Sequence, residues 1–206
     1  SSHQSATDIL FQELKTSDLR AIVGKDSMDQ NCPEALYTPA HQESDSLKSL
    51  ISRWHNSHGQ KLQLAITPRF APTCSPELLE VLRDVTKSHP DVYVQTHISE
   101  NLDEIALVKK LFPNIKNYAD VYDRYDLLHQ KTLLAHGIHL DNSELETISD
   151  RKCTVVHCPT SNEFLGSGLF NWSAVSSAGI KISLASDIGG GTSLSPWRTM
   201  ASAYQI

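Results

Sequence analysis

The regular alternation of short apolar runs with helical patterns constrains the fold of this chain more than any other feature of its sequence. The runs are rich in β-branched and other apolar residues, and the segments between them are long enough for crossover helices. Parallel strands joined by such helices form right-handed connections in one sheet. The sequence therefore predicts an α/β fold, as a sheet or a barrel, with strands near residues 19–23, 62–67, 92–96, 132–135, 154–156 and 180–185.

Helical periodicity and capping signals mark the segments between these strands. Ser75 before Pro76 predicts a capped helix start. The polar segment 26–46 shows no period and is predicted to be a long surface loop. Capping boxes are predicted at Asn101 with Glu104 and at Ser143 with Glu146. Apolar residues recur at helical spacing at Leu47, Leu50, Ile51 and Trp54, at Leu78, Leu82 and Val85, and at Ile105, Val108 and Phe112.

Length, charge and cysteine spacing narrow the class of protein. At 206 residues the chain is shorter than a complete β/α barrel, which has about 250. A net charge of −6 without a basic run argues against nucleic acid and for a small partner. No apolar stretch approaches the roughly 20 residues of a membrane span, and residues 1–6 lack signal-peptide features, so we expect a cytoplasmic protein. The four cysteines form no C-x-x-C pair and are expected to be reduced.

Side chains suited to catalysis stand at the predicted carboxyl ends of the strands. In β/α proteins that edge carries the active site, so these side chains are expected to share one site. A catalytic zinc needs three or four His or carboxylate ligands and an open position for water, whose pKa it lowers to about 7. The strand-end set consists of Arg69 and Phe70, His97 with Glu100, His136, His157 and Asp187.

Residue chemistry assigns a candidate role to most of this set. His97 and Asp187 are candidate metal ligands. Glu100 lies three residues beyond His97 and is the candidate acid–base, since it can exchange a proton between a metal-activated water and the substrate. His136 can hydrogen-bond the attacking oxygen, and Arg69 can hold a carbonyl or ring nitrogen through its several donors.

Purely structural roles compete with each of these assignments. A lone histidine is more often simply hydrogen-bonded than a ligand. Arg69 is compatible with an ordinary ion pair, and Glu100 with first-turn charge on a helix. Asp187 precedes three glycines by two residues and is compatible with a turn or a cap. His157 stays open between supporting a metal ligand and a structural role.

Five motifs carry these residues: Ile66-Thr-Pro-Arg-Phe70, Thr96-His-Ile-Ser-Glu-Asn101, Leu134-Ala-His-Gly137, His157-Cys-Pro-Thr-Ser-Asn162 and Ser186-Asp-Ile-Gly-Gly190. Each motif is weak alone, but their order and spacing together resemble the guanine deaminases of the metal-dependent amidohydrolase superfamily. Segments 23–29, 116–118 and 121–123 resemble the same family, so the similarity runs through nearly the whole chain.

The resemblance implies a (β/α)8 TIM-type barrel with one Zn²⁺ per subunit, bound in part by His97 and Asp187. It implies that Glu100 shuttles protons and that His136 orients the attacking oxygen. A zinc-activated water would replace the exocyclic amine of guanine and give xanthine and ammonia, a step of purine catabolism. The resemblance also suggests a homodimer.

The same resemblance implies a set of guanine-binding residues. Arg69 matches a family residue that hydrogen-bonds the purine, and Phe70 one that packs on it. The metal-site residues His97, Glu100 and Asp187 would also contact the substrate. The residues by themselves predict only metal-assisted hydrolysis; the identity of the substrate comes from the resemblance.

One departure from the family pattern is substantial. The family carries a His-x-His pair at the end of its first barrel strand, and no His-x-His occurs in this sequence. If segment 19–23 corresponds to the third strand, the six predicted strands are the third to the eighth. Residues 1–206 are then expected to be a partial barrel domain without the first strands and the small β-domain. We expect that they are inactive alone, or that they act with further segments that this sequence does not include.

Two other functions stay open. The first is another amidohydrolase-type deaminase acting on a purine, pyrimidine or triazine ring, against which Arg69-Phe70 favours guanine. The second is a truncated, non-catalytic binding module, favoured by the missing His-x-His pair. The unrelated zinc deaminase fold is disfavoured, because Cys158-Pro159 lacks its P-C-x-x-C signature.

Overall fold

The computed structural model describes residues 1–205, which form two compact units. The first comprises Ser1–Thr96 and Tyr125–Leu127, and the second comprises His97–Arg124 and the chain from Leu128 onward. The strands of the described chain are β1 (Ala21–Ser27), β2 (Leu62–Pro68), β3 (Tyr93–Ile98), β4 (Thr132–His136), β5 (Thr154–His157) and β6 (Lys181–Leu184). The helices are α1 (Gln4–Ser17), α2 (Ala40–Trp54), α3 (Ser57–Gln60), α4 (Pro76–Ser88), α5 (Leu102–Leu111), α6 (Tyr118–Arg124), α7 (Asn142–Asp150), α8 (Pro159–Leu165), α9 (Trp172–Ser177) and α10 (Pro196–Gln205).

The strands are neighbours in chain order in one sheet, and the predicted parallel α/β fold is confirmed. Parallel registers join β1 to β2, β2 to β3, β4 to β5 and β5 to β6. Only the first strand departs clearly from its predicted bounds. Leu19 lies outside it and is 58% exposed, because Asp18 ends α1 in a left-handed conformation and the strand begins only at Ala21.

The core of the first unit forms where α2 and α4 pack on each other and on β2. Their predicted apolar stripes are confirmed, with Leu50 and Leu82 almost completely buried. Helix α1 adds Phe11, whose ring stacks on Trp54 with centroids 5.3 Å apart. Burying one such side chain contributes about 1.5–3 kcal/mol.

A buried ion pair explains why β1 continues through polar residues to Ser27. Nζ of Lys25 donates to a carboxylate oxygen of Glu43 at 2.6 Å, and neither residue is more than 1% exposed. The hydroxyl of Ser27 donates to the other oxygen of Glu43. Lys25 and Ser27 can face inward because α2 brings the carboxylate to them.

The prediction of a surface loop over segment 26–46 was wrong for much of its length. β1 continues to Ser27, a 3-10 turn spans Glu34–Leu36, and α2 begins at Ala40. The first turn of α2 is polar in sequence, and its inward-facing residue is Glu43. The periodicity of apolar residues therefore could not reveal that turn.

Capping interactions fix the helix starts that follow the strands. Ser75 accepts from the backbone of Leu78, as predicted. The predicted capping box of Asn101 and Glu104 is also confirmed. The box predicted at Ser143 and Glu146 was wrong, because α7 begins two residues earlier and its box joins Asp141 to Glu144. Aspartate and serine are comparably good caps, so sequence alone did not separate the two registers.

All four cysteines are free thiols, in agreement with the expected reduced state. Burial raises the pKa of Cys153 and of Cys158 to about 12. Within residues 1–205, none of the helices combines the length and the apolar character needed to cross a membrane.

The buried pair of Lys25 and Glu43 yields a stability prediction. Glu43→Gln keeps the side-chain volume but leaves Lys25 charged and unpaired in the core, which is expected to cost about 3 kcal/mol of the free energy of unfolding. The double variant Lys25→Met/Glu43→Leu should be more stable than Glu43→Gln, since it buries no charge. Urea denaturation measures both.

The control is Asp84→Ala, which breaks the exposed ion pair of Asp84 with Arg83 in the same unit. It should cost less than about 1 kcal/mol. A loss for Glu43→Gln no larger than that of the control would contradict the prediction.

Candidate active site

Strand ends of the second unit bring together side chains that the sequence marked for chemistry. His97 lies in β3, His136 and His157 are the last residues of β4 and β5, and Asp187 follows β6 by three residues. Glu100 lies just after β3, ahead of the capping residue of α5. Because parallel strands end at the same edge of a sheet, these residues gather there.

The backbone turns sharply at three positions in this cluster. Ser99, His136 and Asp187 have φ angles of 48°, 70° and 47°. Non-glycine residues rarely adopt this left-handed conformation, which costs on the order of 1–3 kcal/mol and persists where the surroundings impose it. One such constraint is the backbone N–H of Gly137, which donates to the carbonyl of Ile98 at 2.9 Å.

Two imidazoles and one carboxylate form the centre of the site. One ligand atom each from His97, His136 and Asp187 lies within 4.8 Å of the others. The rings of His97 and His136 are stacked, with centroids 5.3 Å apart. Nε2 of His136 lies 3.6 Å from a carboxylate oxygen of Glu100 and 3.9 Å from one of Asp187. His136 thus faces both carboxylates.

Each carboxylate is held by a serine hydroxyl. Ser161 donates to Asp187 at 2.6 Å, and Ser167 donates to Glu100 at 3.2 Å. A side chain at Gly190 would have its Cβ 2.9 Å from Asp187 and 2.8 Å from Ser161, so only glycine leaves this pair undisturbed. The carboxylate oxygens are therefore oriented before any ligand binds.

The donor set fits a borderline divalent metal ion. Imidazole nitrogen and carboxylate oxygen are ligands that zinc prefers, and the partly exposed carboxylates leave access for water. To bind one zinc ion together, the three donor atoms need to move only slightly closer to one another, because each ligand lies about 2 Å from the ion. The sequence assigned His97 and Asp187 as ligands and His136 only to the attacking oxygen. The geometry allows His136 either role.

His157 lies beside this group rather than in it. Its ring stacks on Phe170 with centroids 4.5 Å apart and meets the edge of Trp172 at 5.5 Å. Asn162 lies between it and His136, with Oδ1 2.9 Å from Nδ1 of His136 and Nδ2 3.4 Å from Nδ1 of His157. His157 therefore contacts the site through Asn162.

Ser161 and Asn162 lie in the motif that begins at His157, but the motif predicted no role for either, and Ser167 lies in none of the five motifs. A usable signal was present, because Pro159 starts α8 immediately after β5. The first turn of such a helix lies over the strand end, where Ser161 and Asn162 reach the site. Ser167 follows Gly166, whose left-handed conformation ends α8, and no local pattern predicts its contact with Glu100.

Arg69 and Phe70 belong to the first unit, directly after β2. The backbone N–H of Arg69 donates to the carbonyl of Ser27, and Thr96 donates to the carbonyl of Arg69. The side chain of Asn31 donates to the carbonyl of Pro72 at 2.7 Å. The segment that carries Arg69 and Phe70 is thus fixed by its backbone, while the Arg69 side chain is exposed.

A parallel β/α sheet with imidazole and carboxylate donors at its strand ends is the arrangement of β/α proteins whose strand ends can hold a metal ion. Comparison with known families specifies the class further. The chain belongs to the amidohydrolase family, whose model matches residues 2–206.

Guanine deaminases are among the relatives of this chain. The one from Escherichia coli (strain K12) is 40% identical over 204 residues, which are 99% of this chain and 46% of the relative. A solved structure of E. coli guanine deaminase matches with a TM-score of 0.97 at 40% identity, over 100% of this chain and 48% of that one. A guanine deaminase from C. acetobutylicum with bound guanine in the active site matches with a TM-score of 0.95 at 38% identity, over 100% and 49%. The chain spans about half the length of the relatives it matches.

The burial of His157 yields a pH prediction. Burial, with the nearby His136 as a second cause, lowers its pKa to about 4. Below about pH 6.5 the unfolded chain gains a proton here that the folded chain does not bind. Stability present above that pH is therefore lost as pH falls to about 4, by an amount on the order of 3 kcal/mol.

The free energy of unfolding, measured by urea denaturation from about pH 7 down to about pH 4.5, reports this loss, because that range crosses the ordinary histidine pKa of about 6.5. His157→Gln should flatten the dependence, whereas His41→Gln, which replaces an exposed histidine, should not. Equal slopes for the wild type and His157→Gln would refute the prediction.

Proposed function

We propose that this protein hydrolyses guanine to xanthine and ammonia. The observation that carries the proposal is the cluster of His97, Glu100, His136 and Asp187 at the strand ends of a chain 40% identical to a guanine deaminase. The structural relative with bound guanine supports the same substrate.

Glu100 is assigned the proton transfers. Its side chain is 20% exposed, and its carboxylate accepts from Ser167 and lies 3.6 Å from Nε2 of His136. It takes a proton from the attacking water, and protons pass to the ring nitrogen and then to the leaving amine. The new C–O bond forms as the ring C=N bond becomes single and its nitrogen takes one proton of the water. The C–N bond to the exocyclic amine then breaks as the carbonyl forms and the amine takes the second proton, so guanine and water give xanthine and ammonia.

Zinc is the proposed metal, with His97 and Asp187 as ligands and His136 directed at the same point. When bound, zinc supplies Lewis acidity that lowers the pKa of water to about 7. The residues of the chain supply the orientation: Ser161 fixes Asp187, and His136 hydrogen-bonds the attacking oxygen if it is not itself a ligand.

Arg69 and Phe70 are the proposed guanine-binding residues of the first unit. The guanidinium group offers several donors that suit a carbonyl and a ring nitrogen. Phe70 is half-buried and offers a ring on which a purine can pack. His97, Glu100 and Asp187 are proposed to contact the reacting side of the ring.

Residues 1–206 contain no His-x-His pair, so His97 and Asp187 are proposed to supply only part of the zinc ligand set. We accordingly propose that residues 1–206 act as a partial barrel domain with little activity alone. The cytoplasmic location stays a prediction from the sequence pattern, and the homodimer stays a prediction from the resemblance.

The first experiment measures guanine-dependent ammonia release with zinc added, and records the intact mass of the same sample. Release by a species of 206 residues would support the function and contradict the need for further ligands. Release only by a heavier species would support both proposals. Absence of release from either, or faster release from adenine, cytosine or a triazine, would overturn guanine as substrate.

Glu100→Gln tests the proton shuttle. The variant keeps the shape of the side chain but cannot carry a proton, so kcat should fall about 10²- to 10⁴-fold with little change in KM. Glu146→Gln, an exposed glutamate of α7, is the matched control and should keep wild-type kinetics. A Glu100→Gln enzyme within a factor of about three of the wild type would rule out the assignment.

Arg69→Ala tests substrate recognition. Loss of its hydrogen bonds should lower kcat/KM for guanine about 10- to 100-fold, because each bond to a charged group is worth about 1.5–3 kcal/mol. The control is Arg83→Ala, which removes an arginine of α4 that pairs with Asp84. If both variants lower kcat/KM equally, Arg69 does not recognise the purine.

A further inference from the structure

Neither the sequence motifs nor the family match assigns a role to Asn162. It lies in the first turn of α8, directly after β5, and is 1% exposed. Its side-chain amide lies between two imidazoles, 2.9 Å from Nδ1 of His136 and 3.4 Å from Nδ1 of His157. Both rings are also 1% exposed, so water does not substitute readily for these contacts.

The chemistry of the amide determines where each ring carries its proton. A carboxamide oxygen can only accept, and its NH₂ group can only donate. Oδ1 of Asn162 faces His136, so Nδ1 of His136 carries the hydrogen and its Nε2 carries the lone pair. Nδ2 of Asn162 faces His157, so Nδ1 of His157 carries the lone pair and its Nε2 carries the hydrogen.

We propose that Asn162 is a positioning residue that holds His136 and His157 in opposite tautomers. In a neutral histidine, the hydrogen bond at one nitrogen determines the proton on the other. Nε2 of His136 therefore carries a lone pair that can accept a hydrogen bond or bind a cation. Nε2 of His157 carries a hydrogen and can only donate.

The surroundings of His136 make this assignment consequential. Its Nε2 faces Glu100 at 3.6 Å and Asp187 at 3.9 Å. Two carboxylates alone would favour an N–H at Nε2, and Asn162 opposes that preference by requiring the hydrogen at Nδ1. The lone pair then points to the cluster that it forms with His97 and Asp187, where it can bind a cation or accept a proton.

The surroundings of His157 fix its ring in a compatible way. Phe170 stacks on one face, and Trp172 meets it edge-on. Among the described residues, Nε2 of His157 has no hydrogen-bond partner. The ring is therefore held by aromatic packing and by its single hydrogen bond to Asn162, so the tautomer of His157 depends on that bond.

Long-range ¹H–¹⁵N NMR correlation on the intact, metal-free, ¹⁵N-histidine-labelled protein measures the tautomers directly. The measurement is made at about pH 8.5, roughly two units above the ordinary histidine pKa. Spectra of His136→Gln and His157→Gln assign the signals. We expect a protonated Nδ1 in His136 and a protonated Nε2 in His157. The same tautomer in both rings, or the reverse pair, overturns the proposal without any Asn162 variant.

Two substitutions of Asn162 give different expected patterns. Asn162→Asp keeps an acceptor for His136 and replaces the donor to His157 by an acceptor, so only His157 should move its hydrogen to Nδ1. Asn162→Ala removes both partners, so His136 should move its hydrogen toward Nε2, which faces the two carboxylates, and His157 should show a mixture. Asn171→Ala, which removes the cap of α9 in the same unit, is the control for a loss of stability and should leave both tautomers unchanged.

Zinc affinity and turnover test the consequence. In competition with a chelator, Asn162→Ala should bind zinc about 10- to 100-fold more weakly. This is the usual effect of removing a residue that hydrogen-bonds to a metal ligand and orients it. The kcat for guanine should fall by a similar factor without a matching rise in KM. This expectation rests on the proposed deaminase function. The expected tautomers, together with no deamination of guanine by residues 1–206 or by a heavier species, would overturn that function and leave the role of Asn162 intact. Unchanged tautomers in folded Asn162→Ala would overturn the role of Asn162 whatever the activity.

Discussion

The chemistry of this protein depends on where its parallel strands stop. His136 ends β4 in a left-handed conformation, and Asp187 adopts the same conformation just after β6. Neither residue favours that geometry, so the surrounding chain must impose it. The hydrogen bond from Gly137 to Ile98 contributes to this constraint. The surrounding chain thus holds the side chains of two candidate site residues in fixed directions, at the cost of backbone strain.

Order at the site comes from neutral partners rather than from opposite charges. Serine hydroxyls hold Glu100 and Asp187, and the amide of Asn162 holds His136. A cationic partner such as lysine would compensate the carboxylates and lower their attraction for a metal ion. Hydroxyl and amide partners orient the same atoms while leaving the negative charge available to a cation.

The sequence predicted those features that depend on local pattern. Six strands, the apolar stripes of α2 and α4, and the caps at Ser75 and Asn101 follow from periodicity and capping chemistry. The polar end of β1 and the first turn of α2 were missed, because Lys25 and Glu43 are inward-facing only when paired across 18 residues. The contact of Ser167 with Glu100 spans 67 residues and has no local signature. What the sequence hid is polar and long-range. What it revealed is apolar or local, or lies at a strand end, as His97, His136 and Asp187 do, because the alternation of strands and helices locates those ends.

Cys158 adds a consequence for metal selectivity. It is adjacent to His157 and beside the cluster, yet burial raises the pKa of its thiol to about 12, and the charge of Asp187 acts in the same direction. Soft ions such as Cu(I) are captured by thiolate, which this residue does not supply at neutral pH. Among the described residues, the group of His97, His136 and Asp187 that could hold a metal ion therefore presents nitrogen and oxygen donors, with a protonated thiol rather than a thiolate beside it.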